Sequence, residues 1–255
     1  KWNRQELKGF YPRGTKDELA YYSTQFNAIE LNATFYKMPA WEQVTAWKNK
    51  TPDNFKFFPK ITQSISHYKQ LKDVKERVDV FCNAISNFDE KLGMCFLQLR
   101  DNFKPKNLER LEKVLREFPN GVPLGVEVRN SEWFTDTVAK AQLEKVLEEL
   151  AMTNIIVDTA GRRDMLHMRL TSDAAFIRFV GANHPSDVAR LDEWVNRIVA
   201  WRKQGLNKVY FFVHQNIELE SPLLATHLIT GLNAAFKMKI HIPERQVGQK
   251  SDLEL

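Results

Sequence analysis

Apolar and polar positions alternate along this chain in blocks. Seven short runs are apolar at mostly consecutive positions: Ala28–Asn32, Phe55–Lys60, Gly93–Leu99, Leu124–Arg129, Asn154–Asp158, Phe176–Gly181 and Lys208–Asn216. Such runs read as parallel strands covered on both faces. Two-faced segments lie between them. Asn107–Phe118 sets Leu108, Leu111, Leu115 and Phe118 on one stripe, with Glu109, Arg110, Glu112 and Lys113 opposite. Gln142–Leu150 and Asp187–Gln204 repeat the helical pattern. Thr15 followed by Glu18 predicts a capping box at the first helix. Pro119 and Gly205 stand where helices should stop.

The strand ends recur about every 31 residues, the length of one strand–helix unit. One unit back from Asn32 falls at about residue 1, so a further strand is expected ahead of Lys1. Seven visible units plus that strand predict an α/β fold, a (β/α)8 barrel of TIM type, as one domain over residues 1–255. A doubly wound open sheet also fits the alternation. It would carry a Gly-rich phosphate turn after a strand, and none is present.

Polarity along the strands is lopsided. They start apolar and end in Glu30, Asn32, Lys60, Gln98, Glu127, Arg129, Asp158, Arg178, His214 and Asn216. Period two places Glu30 with Asn32, Glu127 with Arg129 and His214 with Asn216 on shared faces. Helices cover the outside of a barrel, where an unpaired charge is costly. These groups are therefore expected at the C-terminal mouth, where barrel enzymes keep their sites. A plainer reading is a structural plug of inward ion pairs. Against it, a buried ion pair is weak evidence for stability.

Composition narrows the classes. The 255 residues hold 37 Lys+Arg against 32 Asp+Glu, a net charge of +5, with 43% hydrophobic and 27% charged residues. That balance excludes a disordered or low-complexity chain. The pI near 9.1 only hints at anionic partners. Two cysteines, Cys82 and Cys95, exclude a disulfide framework. No apolar run reaches the roughly 18 residues of a membrane span, so no membrane partner and a cytoplasmic location are expected.

Motifs through nearly the whole chain resemble the YecE-like family, also called domain of unknown function 72. They are Tyr11-Pro12, the run from Ala28 to Tyr36, Thr51-Pro52 with Phe55, Phe58-Pro59-Lys60, and Ile61 to His67. Further along come Phe96 to Leu99, Gly125 to Arg129 with Trp133, Phe176 to Phe179, and Phe211 to Asn216. The resemblance implies a TIM-type barrel that opens with a strand and a Gly-containing turn before the Trp matched by Trp2. It departs at Val180, where the family often has His, and at His214-Gln215, where Asn is more usual. The family carries no settled activity.

Three chemistries fit the expected mouth. Lys60, Arg129 and Arg178 beside Glu30, Glu127 and Asp158 suit an anionic ligand, a phosphoester or nucleic-acid backbone. Acid–base hydrolysis would then use Glu127 and Glu30, with His214 or His67 as proton carrier. The loop residues Arg162, Arg163, His167 and Arg169 add cations near the same end or form a solvated turn. A glycosidase would pair Glu30 with Glu127 and stack sugars on Tyr36, Trp133 or Trp2. A divalent metal would need Glu30, Glu127, Asp158 and His214 to converge, against interleaved cations and without HxH, HExxH or CxxC spacing. No cofactor motif is present. Carboxylates beside the cations favour an enzyme. A non-catalytic barrel binding an anion or nucleic acid stands as the alternative.

Overall fold

The apolar runs pair in parallel. In the computed structural model, which describes Gln5, Leu7 and residues 9–244, they form β1 (Ala28–Leu31), β2 (Lys56–Pro59), β3 (Cys95–Gln98) and β4 (Leu124–Glu127). The series continues with β5 (Thr153–Asn154), β6 (Ile156–Thr159), β7 (Ala174–Gly181) and β8 (Lys208–Gln215). Three small parallel sheets result: β1-β2, β3-β4-β5 and β6-β7-β8. Parallel bridges from Phe57 to Leu92 and from Lys60 to Phe96 join β2 to β3. β5 and β6 belong to one extended run that changes partner at Ile155. Spacing anticipated the parallel order. The ladders themselves form three sheets, because pairing thins to two bridges between β2 and β3 and changes hands at Ile155.

Among the described residues, no strand pairs with the outer edge of β1 or of β8. A cavity of about 540 Å3 opens between those edges, lined by Ala28, Ile29, Val209, Phe211 and Leu228. The strand expected ahead of Lys1, and Trp2 with it, lie outside the described residues.

The helices are α1 (Glu18–Gln25), α2 (Ala33–Tyr36), α3 (Trp41–Asn49), α4 (Lys75–Ile85) and α5 (Leu108–Arg116). After them come α6 (Glu132–Thr135), α7 (Thr137–Glu149), α8 (Ser186–Lys203) and α9 (Ser221–Phe236). Two starts differ from expectation, each for a capping reason. Asp17 caps α1, accepting at Oδ1 from Ala20 N at 3.1 Å, while Thr15 Oγ1 turns back and donates to Pro12 O at 2.8 Å. Asp136 accepts from Val138 N and Ala139 N, both at 3.0 Å, and so begins α7 more than a turn before Gln142. Among the described residues, no helix is long and apolar enough to cross a membrane.

Each strand feeds two apolar layers. Outward residues such as Leu31, Phe57, Leu97 and Val126 pack in one large core under α3 to α7, and Ile156, Ile177, Phe179 and Val213 pack in a second with α8 and α9. The alternate positions Phe58, Met94, Phe96, Ile155, Val157, Ala174, Phe176 and Phe212 meet in a separate inner cluster. Phe176 lies at its centre, 5.5 Å from Phe58, 5.5 Å from Phe96 and 5.0 Å from Phe212 between ring centroids. Gly93 makes room for this packing, since a Cβ there would sit 2.5 Å from Phe58 Cζ. Gly93→Ala should therefore destabilise the fold by about 1–3 kcal/mol, read as a lower urea midpoint. Adding Phe58→Leu should recover part of the loss. An unchanged midpoint in Gly93→Ala would show that the ring has room to move.

Candidate functional site

Positions on the inner face lead, two residues on, to polar ones. Ala28, Phe58, Phe96, Gly125, Phe176 and Phe212 are followed by Glu30, Lys60, Gln98, Glu127, Arg178 and His214. Strand alternation keeps both sets on one face, so the polar layer sits directly on the phenylalanine floor. Six strands each contribute one of its side chains.

Arg178 organises that layer. Its Nε donates to Glu30 Oε2 at 2.9 Å, its Nη2 to Glu30 Oε1 at 2.8 Å, and its Nη1 to Glu127 Oε2 at 2.7 Å. Gln98 Nε2 donates to Glu127 Oε1 at 2.6 Å, and the Lys60 ammonium donates to Gln98 Oε1. On the other side, His214 Nε2 lies 3.1 Å from Glu30 Oε2 and its Nδ1 lies 3.4 Å from Glu218 Oε1. Asn32 Nδ2 completes Glu30, donating to Oε1 at 3.1 Å. A continuous chain of bonds thus runs from Glu218 to Lys60.

This bonding sets the protonation states. Burial alone would raise the carboxyl of Glu30, but Arg178 and His214 overcome it and hold the group well below the usual carboxylate range. Glu127, 0% exposed, is likewise lowered against its burial by Arg178 and Arg129. Burial depresses His214, yet Glu30 and Glu218 outweigh it and raise its pKa. With Glu30 3.1 Å from Nε2 and Glu218 3.4 Å from Nδ1, both ring nitrogens of His214 are engaged by carboxylates. Neither Glu30 nor Glu127 is a proton donor in this state, and His214 has no free nitrogen to carry a proton. The three side chains that were expected to share acid–base work are instead found bonded through Arg178 in one ionic lattice. The glycosidase reading loses its general acid for the same reason.

Other expected site residues fall elsewhere. Trp133 is 1% exposed and donates from Nε1 to Phe103 O at 2.7 Å, so it packs in the outer core and stacks on no ligand. Asp158 pairs in register with Phe179, which puts it on the outward face beneath α8. There it accepts from Arg190 Nη2 at 2.6 Å and Trp194 Nε1 at 2.8 Å, and pairs with Arg163. Asn216 lies past the end of β8, exposed, with no hydrogen bond to the layer among the described residues. Among the loop cations, Arg169 pairs with Glu148, and the buried His167 holds Ile155 O through Nε2 at 3.0 Å. No group of three or more His, Cys, Asp and Glu side chains among the described residues is arranged to hold a metal ion.

Lys60, His67, Tyr36 and Arg129 do gather beside the layer. Thr34 Oγ1, 2.9 Å from Leu31 O and 2.7 Å from Lys60 O, ties the start of α2 to the ends of β1 and β2. That places the Phe35 ring 4.2 Å from Lys60 Nζ. His67 packs edge-on against Phe35 at 4.9 Å and shares a 2.8 Å hydrogen bond between Nδ1 and Ser66 Oγ. Burial, then the charges of Lys60, Arg100 and Arg129, push its pKa down to about 4, so it is neutral. Arg129 Nε is buried without a hydrogen-bond partner, 3.6 Å from Glu127 and 3.8 Å from Asp101. Arg162 backs it, donating from Nη2 to Arg129 O at 3.0 Å. Tyr36, 64% exposed, stands at the rim.

Sequence reading passed over Phe35, Arg100 and Glu218. Arg100 follows Gln98 by two and Glu218 follows His214 by four, both spacings that share a face; Phe35 gave no signal of its own.

Arg178→Met should cost about 3–5 kcal/mol in chemical denaturation, because it strands two buried carboxylates. Replacing Glu30 and Glu127 with Gln in the same chain should restore part of it. No loss in the single variant would mean that the carboxylates find other partners. The pH profile carries a sign from each group. Stabilisation from Glu30 and Glu127 is present above their unfolded value of about 4.5 and lost as pH falls through their lowered folded values. That from His214 is present below about 6.5 and lost as pH rises through its raised folded value. The stability advantage of the native chain over His214→Gln should thus shrink as pH climbs above 6.5, by thermal melting. A pH-independent difference would remove His214 from the lattice.

Comparison with known proteins accords with this architecture. The model of the family "Protein of unknown function DUF72" matches residues 1–247. The chain is 28% identical over 225 residues to the UPF0759 protein YecE of Escherichia coli K12, covering 81% of this chain and 82% of that one. It is 28% identical over 135 residues to the UPF0759 protein YunF of Bacillus subtilis strain 168, about half of either chain (49% and 48%). A crystal structure of a DUF72 family protein from Thermotoga maritima MSB8 superposes with a TM-score of 0.71 at 27% identity, covering 90% of this chain and 95% of that chain. A second, from Enterococcus faecalis V583, gives 0.71 at 20% identity, covering 87% and 94%, a likeness of fold alone. With a family model matched over residues 1–247, the chain belongs to the DUF72 family of proteins of unknown function.

Proposed function

We propose that this chain is a (β/α)8-type barrel that binds a small ligand carrying a carboxylate or phosphate group, over the C-terminal ends of β2, β3 and β4. The supporting observation is hydrogen-bonding capacity left unspent on two cations beside the polar layer. Arg178, Arg129 and Lys60 stand against Glu30 and Glu127, and Arg178 alone occupies three of the four carboxylate oxygens' hydrogen bonds. The fourth oxygen, Glu127 Oε1, takes its bond from Gln98. Among the described residues Lys60 hydrogen-bonds a neutral amide, and Arg129 Nε has no hydrogen-bond acceptor, its nearest carboxylates standing at 3.6 and 3.8 Å. A buried guanidinium nitrogen without an acceptor leaves a strong hydrogen bond unmade, which an incoming oxyanion would supply.

Arg100 adds a further cation near the same spot. The cations converge on one place instead of running along a face. That suits a single anionic group better than a nucleic-acid backbone. Hydrolysis by Glu127, Glu30 and His214 is not part of this reading, since their protons and lone pairs are committed to one another.

Inorganic phosphate is the first probe. Its binding, followed by calorimetry, should weaken about tenfold or more in Arg129→Gln, the scale of one charge-assisted hydrogen bond. Arg202→Gln, on a helix away from the layer, should bind as the native chain does. Equal affinity in Arg129→Gln and the native chain would overturn the proposal.

A further inference from the structure

Lys60 differs from the other buried lysine. Lys91 donates to Lys48 O at 3.0 Å and Thr51 O at 2.7 Å, and has Asp53 within 3.9 Å. Its charge is well accommodated. Lys60 has no carboxylate within ion-pair distance among the described residues. Its Nζ meets one neutral amide oxygen, the face of Phe35 at 4.2 Å, and the Phe96 ring at 6.0 Å. Two guanidiniums, Arg178 and Arg129, face it from β7 and from the end of β4. A desolvated amine beside other cations is the environment in which a lysine becomes a nucleophile.

From this geometry we infer that Lys60 is an amine nucleophile that forms a Schiff base with a small aldehyde or ketone bearing a carboxylate or phosphate, the anionic group being held by Arg129. The inference deepens the anion-binding reading and rests on it for the anionic half of the ligand. The neutral Lys60 amine attacks the carbonyl carbon; a C–N bond forms and the carbonyl electron pair moves to oxygen, which takes up a proton. The attacking nitrogen gives up one proton to solvent and so regains its lone pair, which forms C=N as the hydroxyl takes a second proton and departs as water. The product is an iminium ion on Nζ, with one proton consumed and one water released.

Titration agrees with the geometry. Burial, then Arg178, bring the Lys60 pKa down to about 8, against the opposing pull of Glu127 and Glu30. The neutral His67 imidazole, on the far side of Phe35, adds no competing charge.

The test is reductive trapping on the native chain at neutral pH. Limiting glyoxylate or acetaldehyde is added with cyanoborohydride, and modified lysines are located by peptide mass spectrometry. Lys60 should be alkylated by acetaldehyde about tenfold or more faster than the exposed Lys145. Glyoxylate should increase that preference, and Arg129→Gln should abolish the increase. If neither aldehyde labels Lys60 faster than Lys145, Lys60 is no nucleophile and the inference fails. If acetaldehyde labels Lys60 preferentially but glyoxylate gains nothing over it, the nucleophile stands and the anion-binding reading fails. Trapping needs no variant of Lys60, so its outcome does not depend on whether such a variant folds.

Discussion

The guanidinium of Arg178 is the constraint on which the rest of the site depends. Two carboxylates, Glu30 and Glu127, rise from different sheets into one buried layer, and neither could stay ionised there alone. A planar group with five donors can satisfy both at once, with a bidentate grip on one and a single bond to the other. Once Arg178 is placed, the remaining partners follow. Gln98 is drawn to the free oxygen of Glu127, Lys60 to the far end of Gln98, and His214 to the outer oxygen of Glu30. The layer also ties the three sheets to one another where their backbone ladders lapse.

Beneath it, the phenylalanine floor explains why such a layer is tolerated. Phe58, Phe96, Phe176 and Phe212 fill the inner face, and Arg178 lies 5.5 Å from the Phe96 ring centroid. Water is kept from below, so the ionic bonds are not screened from that side. Above, among the described residues, the Lys60 and Arg129 edge is the part left incompletely paired. The division of labour is therefore spatial: the β1–β7–β4 part of the layer holds the strands together, and the β2–β4 edge is left with unspent hydrogen-bonding capacity.

Much of this was legible in the chain. Runs of consecutive apolar residues marked the strands, and a polar residue two positions beyond an inner apolar one marked Glu30, Lys60, Gln98, Glu127, Arg178 and His214. Asp158 misled because parity counts from the register, and not from the end of the strand. Its register partner Phe179 faces α8, and so does it. Trp133 was a candidate for stacking on a sugar, but a short helix after β4 turns it into the core. α9 gave no two-faced signal because Ser221–Phe236 contains no charged residue. The electrostatic state of the site was not legible at all. Whether a glutamate is an acid or a fixed anion depends on which guanidinium reaches it, and that is a fact of three-dimensional neighbours.

One feature of the fold bears on how the molecule moves. Among the described residues no backbone ladder joins β8 to β1, and across that gap His214 reaches Glu30 by a side-chain bond. A ladder opens only when several hydrogen bonds break together, whereas a single side-chain link opens alone. The amide protons between β7 and β8 are shut inside an eight-residue ladder and exchange with solvent deuterium only when several of its bonds open together. The ionic lattice therefore reaches from β8 to β1 through a link that can part by itself, while β8 stays laddered to β7.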